Sequence, residues 1–239
     1  MQTLRRRSFS QWAMEAEPIV RIYESRLWRR SALMRLVLGL AFEREYELIL
    51  GAAELAETGI VLDLACGPGI YSRPFARALS RGRVVGLDLS PPMLRYAQRR
   101  AREDQLANLS FVRGDAQQLP LPDARFDLVN CCGALHLFPD PARALAEAQR
   151  VLRPGGRITL AAVRRDEGRP DEIANRWLRR WLGLDSFTAA ELTGRMRAAG
   201  FEDVRLHHAR RAWLVASGRK TVSPPIGSPA GSFPGWDVS

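Results

Sequence analysis

The chain has 239 residues, 46% of them hydrophobic, which is enough for one full core or one domain with a cap and calls for no second catalytic domain. The formal charge of +10 would ordinarily raise nucleic acid as a partner, but Lys220 is the only lysine among 36 basic residues and the arginines are scattered, with no basic run interleaved with aromatics. That pattern reads as compositional bias and argues against an RNA or DNA substrate.

In chain order, Arg5-Arg6-Arg7 comes first, yet the apolar stretch after it is interrupted by charges and no small-residue cleavage site closes it, so no signal peptide is expected. The most apolar window, Leu36 to Phe42, falls far short of the ~20 residues needed to span a bilayer. Trp12, Tyr23, Trp28, Leu33, Met34, Leu36, Val37, Leu40 and Phe42 instead predict two or three amphipathic helices, and residues 1–58 are expected to form a helical layer before the first strand.

The most informative stretch follows: Val61-Leu62-Asp63-Leu64-Ala65-Cys66-Gly67-Pro68-Gly69, an apolar run ending in an acid and a glycine-rich turn before a helical pattern. Gly67 and Gly69 permit close backbone approach, so main-chain N–H groups can face a ligand carboxylate at the start of a helix. Ser72 stands where the G-x-G-x-x-G dinucleotide fingerprint needs its third glycine, and Asp63 would repel a pyrophosphate. S-adenosylmethionine fits better, because its ammonium and sulfonium gain from a carboxylate while its own carboxylate takes the loop N–H groups.

Val84-Val85-Gly86-Leu87-Asp88 is a second buried-strand pattern, and Asp88 lies 19 residues past Gly69, the separation at which a strand-end carboxylate meets ribose hydroxyls. Ser90 is placed to cap a helix opening with Pro91 and Pro92. Phe111 to Ala116 supplies a third strand end, where Asp115 is positioned to accept from an adenine amino group, followed by the loop Gln117 to Pro122. Arg125 to Asn130 and Leu152 to Leu160 give the fourth and fifth strands, the latter after a Pro154-Gly155-Gly156 helix stop.

In this order the motifs resemble the class I S-adenosylmethionine-dependent methyltransferases, and among them the ubiquinone and menaquinone biosynthesis group, over about Ile60 to Val163. The resemblance implies a Rossmann-like, doubly wound, mostly parallel seven-stranded sheet of the α/β class, with an N-terminal helical lid and an inserted cap. It implies that Asp63, Gly67 and Gly69 hold the methionine end, that Asp88 takes the ribose, and that Asp115 and Ala116 read the adenine; Ala65, Leu89 and Cys131 complete the expected cofactor pocket. Pro68 between the glycines, with Cys66 before them, departs from the commonest form of the turn. The implied N-terminal lid makes Tyr23 a candidate contact to the acceptor.

Beyond the fifth strand, Asp171 to Leu184 reads as a helix carrying Trp177 and Trp181 on one face beside Arg176, Arg179 and Arg180, within a cap expected at about 166–199. A lid over the substrate is the preferred reading of that helix, and a membrane-surface contact is the alternative. Phe187 to Ala199 gives a further helix, and Gly200 to Leu206 with Ala212 to Ala216 the closing antiparallel pair of a domain spanning 59–217; residues 218–239, rich in Pro, Gly and Ser, read as a disordered tail. Cys66, Cys131 and Cys132 are the only cysteines; without a secretory segment they point to a reducing cytoplasm, and their spacing fits no zinc template, so no metal is expected.

The cofactor already carries an activated methyl group, so the protein must mainly align a nucleophile and exclude water. A base helps only where the acceptor has a proton to lose, and His136, just beyond the fourth strand, is the candidate base or acceptor contact, with a structural role as its equal alternative. His207 and His208 are expected to pack or face solvent. The function expected is methyl transfer to carbon or oxygen of a small lipophilic metabolite of quinone, polyketide or terpenoid type, giving S-adenosylhomocysteine. A cofactor-binding cyclase or rearrangement catalyst that transfers no methyl group is the alternative, and a nicotinamide oxidoreductase is disfavoured by Asp63 and Ser72. Oligomeric state is not legible in the sequence.

Overall fold

The computed structural model describes residues 31–165 and 185–222. Tyr23, Trp177 and Trp181 lie outside these residues, as does most of the expected tail. Helices α1 (Ala32–Leu38) and α2 (Phe42–Ala53) precede β1 (Ile60–Leu64), α3 (Ser72–Ala78), β2 (Arg83–Asp88), α4 (Pro91–Glu103), β3 (Leu109–Arg113) and β4 (Phe126–Cys132). A 3₁₀ turn (Leu135–Leu137), α5 (Pro141–Val151), β5 (Leu152–Val163), α6 (Ala189–Ala198), β6 (Phe201–Arg210) and β7 (Trp213–Lys220) follow.

The seven strands form one sheet in the order β3-β2-β1-β4-β5-β7-β6. The first five are parallel, and β7 runs antiparallel between β5 and β6. This is the doubly wound, mostly parallel architecture expected, and its strand order reverses between β1 and β4, the crevice where such sheets take ligands. Burial on both faces explains why the strands read as near-continuous apolar runs. Leu62, Leu64, Val129, Ile158, Leu160, Leu214 and Ala216 point into one core with α5 and α6. Val61, Leu128, Ala161, Trp213 and Val215 point into the other with α2 and α3.

Local sequence sets the helix starts. The Ser90 hydroxyl accepts from the Met93 N–H ahead of Pro91 and Pro92, and Asp140 caps α5 before Pro141. Thr188 and Glu191 close a reciprocal capping box on α6.

One boundary differs from expectation, and two helices within the expected lid and cap pack on the sheet. Within the expected lid of 1–58, α2 covers the sheet: Ile49 and Ala53 are buried against Val61, Phe75 and Leu128. The last part of the expected cap, α6, is likewise a sheet layer, with Leu192 and Met196 fully buried beside Phe201. Finally, β7 runs to Lys220, three residues past the boundary expected at 217. Gly218 admits the Phe201 side chain 3.1 Å from where its own Cβ would lie, and Lys220 Nζ donates to the Leu152 carbonyl at 2.7 Å, so a Gly-rich segment that reads as tail is held in the sheet.

Candidate functional site

The carboxyl ends of β1, β2 and β3 bring the three acidic motifs together. After β1 the chain turns through Ala65 and Gly67 at φ 55° and 53° and Gly69 at φ 80°. The left-handed angle at Ala65, uncommon for a residue with a Cβ, marks a constrained turn. Where a Cβ on Gly67 would project there is open space within 4 Å, so the backbone itself lines a cradle. The Cys66 N–H donates to the Leu87 carbonyl at 2.9 Å, tying the turn to β2.

Asp88 organises the cradle. One carboxylate oxygen accepts from the Gly67 N–H at 2.8 Å and the other from the Ser90 N–H at 2.8 Å, while its carbonyl accepts from Gly114 at 3.1 Å. Burial pushes its carboxyl above the ordinary carboxylate range, against the pull of the Ser90, Gly67 and Leu89 N–H groups. Asp115, in the next loop, accepts from the Gln117 N–H at 2.9 Å and its side-chain amide at 3.2 Å, and Ala116 beside it is buried.

Asp63 lies one layer deeper, 1% exposed. Its carboxylate accepts from Asn130 Nδ2 at 2.8 Å and from the Ser72 hydroxyl at 2.5 Å. Thr159 donates in turn to Asn130 Oδ1 at 3.0 Å, and strand register carries this polar row across the sheet, Asp63 beside Asn130 and Asn130 beside Thr159. Ser72 thus anchors the Asp63 carboxylate where a dinucleotide site would place glycine.

Burial lifts the Asp63 carboxyl to about 6, with the two side-chain hydrogen bonds opposing and the Asp88 charge adding to the rise. The unfolded side chain titrates near ~3.9, so the folded form holds its proton more tightly. Stability from this group is full below pH ~4, falls as pH rises to about 6 and stays lower above, a cost of about 3 kcal/mol at ~1.4 kcal/mol per unit. Asp63→Asn is therefore expected to gain stability over wild type in urea unfolding at pH 7.5 but not at pH 4, while binding the cationic cofactor more weakly. An equal change in stability at both pH values would exclude this account.

A second network fixes the loop after β3, and most of its members were not singled out from sequence. The Gln117 side chain accepts from the Asp140 N–H at 3.0 Å, and Arg143 Nε donates to the Gln117 carbonyl at 2.7 Å. Glu147 accepts from the Leu119 N–H at 2.7 Å, and Arg150 joins Glu147, Asp123 and the Leu119 and Leu121 carbonyls. The Arg150 guanidinium holds the Glu147 carboxyl below its usual range. The sequence marks Gln117 to Pro122 as a loop, but not the i,i+3 pair on α5 that holds it.

Cys66 and Cys131 are buried, and burial pushes both thiols up, so neither is a ready thiolate. His136 sits in the 3₁₀ turn beyond β4, 7% exposed, its ring edge-on to Trp213 at 6.3 Å. It is thus brought to the same rim as the Gly67–Gly69 turn but on the β4–β5 side. His207 Nε2 lies 2.8 Å from the Ser217 hydroxyl, away from the rim and within the sheet's antiparallel end.

Residues 61–156 match the model of the methyltransferase domain family. Relatives include a demethylmenaquinone methyltransferase of Lactiplantibacillus plantarum, 44% identical over 44% of this chain and 45% of its own, and a ubiquinone/menaquinone biosynthesis C-methyltransferase of Ruegeria, 34% identical over 59% and 54%. The chain spans about half the length of these curated relatives. Among solved structures, an S-adenosylmethionine-dependent methyltransferase from Thermotoga maritima superposes with a TM-score of 0.63 at 25% identity, over 88% of this chain and 99% of that one. The (4+2)-cyclase SpnF superposes at 0.68 with 26% identity, over 77% and 83%.

Residues 61–156 therefore resemble a methyltransferase domain, and the chain has the fold of the S-adenosylmethionine-dependent methyltransferase class. Within that class it resembles the ubiquinone and menaquinone group.

Proposed function

We propose that the protein transfers the methyl group of S-adenosylmethionine to carbon or oxygen of a small lipophilic acceptor of quinone, polyketide or terpenoid type. The observation that carries this reading is the turn at Gly67, with open space where a Cβ would project and held by the Asp88 carboxylate, next after the strand that carries the buried Asp63. The Gly67 N–H is taken by Asp88 and the Gly69 N–H by the Cys66 carbonyl, so the two glycines would serve the methionine end by letting the backbone come close rather than, as the sequence suggests, by donating to its carboxylate. Asp63 would balance the cofactor's positive charge, Asp88 would take the ribose hydroxyls, and Asp115 with Ala116 would border the adenine. The cofactor supplies an electrophilic methyl on a sulfonium. The chain's part is to hold that methyl toward the β4–β5 side of the rim, keep water away, and there align the acceptor.

His136, at that side, is the residue placed to accept a proton from an acceptor hydroxyl or carbon acid. Tyr23, Trp177 and Trp181, outside the described residues, remain part of the proposal as lid contacts. Likeness to a ubiquinone/menaquinone C-methyltransferase supports a lipophilic acceptor, as does likeness to a phthiotriol/phenolphthiotriol dimycocerosates methyltransferase of Mycobacterium leprae, 42% identical over 44% of this chain and 37% of that one.

A second reading has a specific observation behind it. The superposition on a (4+2)-cyclase supports a catalyst that binds the cofactor and folds a substrate without methyl transfer. Mass spectrometry separates the two. Incubation with the cofactor and a panel of hydroquinones, phenols and polyketides is expected to yield S-adenosylhomocysteine in equal measure with a product heavier by one methylene. Tight cofactor binding with an isomerised, unmethylated product would establish the second reading instead.

A further inference from the structure

Glu45 lies on α2, 1% exposed, outside every cofactor motif. Its Oε1 accepts from two aromatic side chains at once, the Tyr71 hydroxyl at 2.7 Å and the Trp213 indole N–H at 3.0 Å. The two donors come from opposite sides of the rim. Tyr71 is two residues past Gly69, and its carbonyl accepts the Phe75 N–H that starts α3. Trp213 opens β7, paired with Val163 at the carboxyl end of β5, and its ring meets His136. Sheet order puts β4 between β1 and β5, so the Tyr71–Glu45–Trp213 bridge spans β4 on the α2 face of the sheet, where Tyr71 and Trp213 share a core with Leu128.

A buried carboxylate is a costly way to hold two rings together, since an apolar side chain would fill the space without losing hydration. What the carboxylate adds is direction: a single oxygen fixes the rotation of both rings. The Phe42 ring, 5.4 Å from Tyr71 on the same helix, backs the arrangement.

We propose that Glu45 is a positioning residue, which ties α2 to the turn after β1 through Tyr71 and to the β5–β7 corner through Trp213, and so fixes that turn and, through the Trp213 ring, the His136 ring against one another. The inference rests on the methyltransferase reading. It makes order in α2 depend on order in the cofactor turn, which can be measured without any acceptor.

The test is hydrogen exchange of residues 42–53 with and without S-adenosylhomocysteine, alongside calorimetric binding of that ligand, in wild type, Glu45→Leu and Glu45→Gln. Wild type is expected to show at least threefold slower exchange in α2 when the ligand is bound. Glu45→Leu, which fills the space but accepts no hydrogen bond, should bind the ligand within threefold of wild type and lose the slowing; Glu45→Gln, whose amide oxygen still accepts from both rings, should keep it. With an active acceptor, Glu45→Leu should lower kcat at least tenfold with the cofactor KM within threefold, and the glutamine variant should recover most of that loss.

Should Glu45→Leu fail to fold, Tyr71→Phe and Trp213→Phe, each removing one donor, are expected to weaken the slowing separately. Persistence of the slowing in the leucine variant or in both of these single variants overturns the proposal, as does loss of ligand binding in Glu45→Leu, which would move Glu45 into the cofactor site. A glutamine variant as impaired as the leucine one overturns it too, because charge rather than position would then matter. Failure of wild type to bind S-adenosylhomocysteine at all refutes the methyltransferase reading, and this inference with it.

Discussion

Asp88→Ala should weaken binding of S-adenosylmethionine at least tenfold, and about a hundredfold if both ribose hydroxyls donate to it, while the protein still unfolds cooperatively. Each charge-assisted hydrogen bond contributes about 1.5–3 kcal/mol, and ~1.4 kcal/mol is a decade of affinity. The structure adds a second route to the same loss. The carboxylate holds the Gly67 and Ser90 N–H groups, so its removal frees the turn that forms the cradle as well as the ligand's own contact. Asp88→Asn retains one acceptor oxygen and should fall between. Calorimetric titration measures the affinity and circular dichroism melting the fold. Unchanged affinity would reduce Asp88 to a brace for the turn and the start of α4.

How much of this was legible depends on the range of the interaction concerned. The faces of the parallel strands are covered and their ends are not, so β1, β2 and β3 could be read from apolar runs with an acid within two residues of the end, and Ser90 with Pro91 marked α4 from local chemistry alone. Gly67, Gly69, Asp88 and Asp115 were legible for the same reason. Asn130 and Thr159 were not, because their part as supports of Asp63 exists only once parallel register sets three strands side by side. Glu45 was invisible for a stronger reason: a lone acid on an amphipathic helix ordinarily faces water, and its partners lie 26 and 168 residues away. Periodicity found α2 and α6 but not what they cover, because an apolar stripe fits a sheet face as well as a bound substrate.

Gly86 is a further residue that sequence presents only as one apolar-strand position among several, and its substitution should have the other large effect. In the β2–β3 ladder it stands opposite Phe111, whose ring folds over the place a side chain would occupy. A Cβ there would lie 2.6 and 2.8 Å from two atoms of that ring and 2.9 Å from the Cys66 sulfur, closer than real Cβ contacts come. The same ring extends to 3.7 Å from where a Cβ of Gly69 would be, so it is wedged between β2 and the turn after β1. Gly86→Ala must push the ring or Cys66 outward, an overpacking cost of about 1–3 kcal/mol, offset by the ~0.4–1 kcal/mol that Ala gains from a less free unfolded chain. In a domain of this size ~1 kcal/mol corresponds to 2–4 °C, so the melting temperature should fall by several degrees, and further for Gly86→Val. Cofactor affinity should fall with it, because both displaced groups abut the turn. The decisive measurement is a double-mutant cycle: Phe111→Leu, mildly destabilising alone, should recover at least ~1 kcal/mol in the Gly86→Ala background. Additive losses would show that the ring yields freely and that Gly86 does not shape the floor of the site.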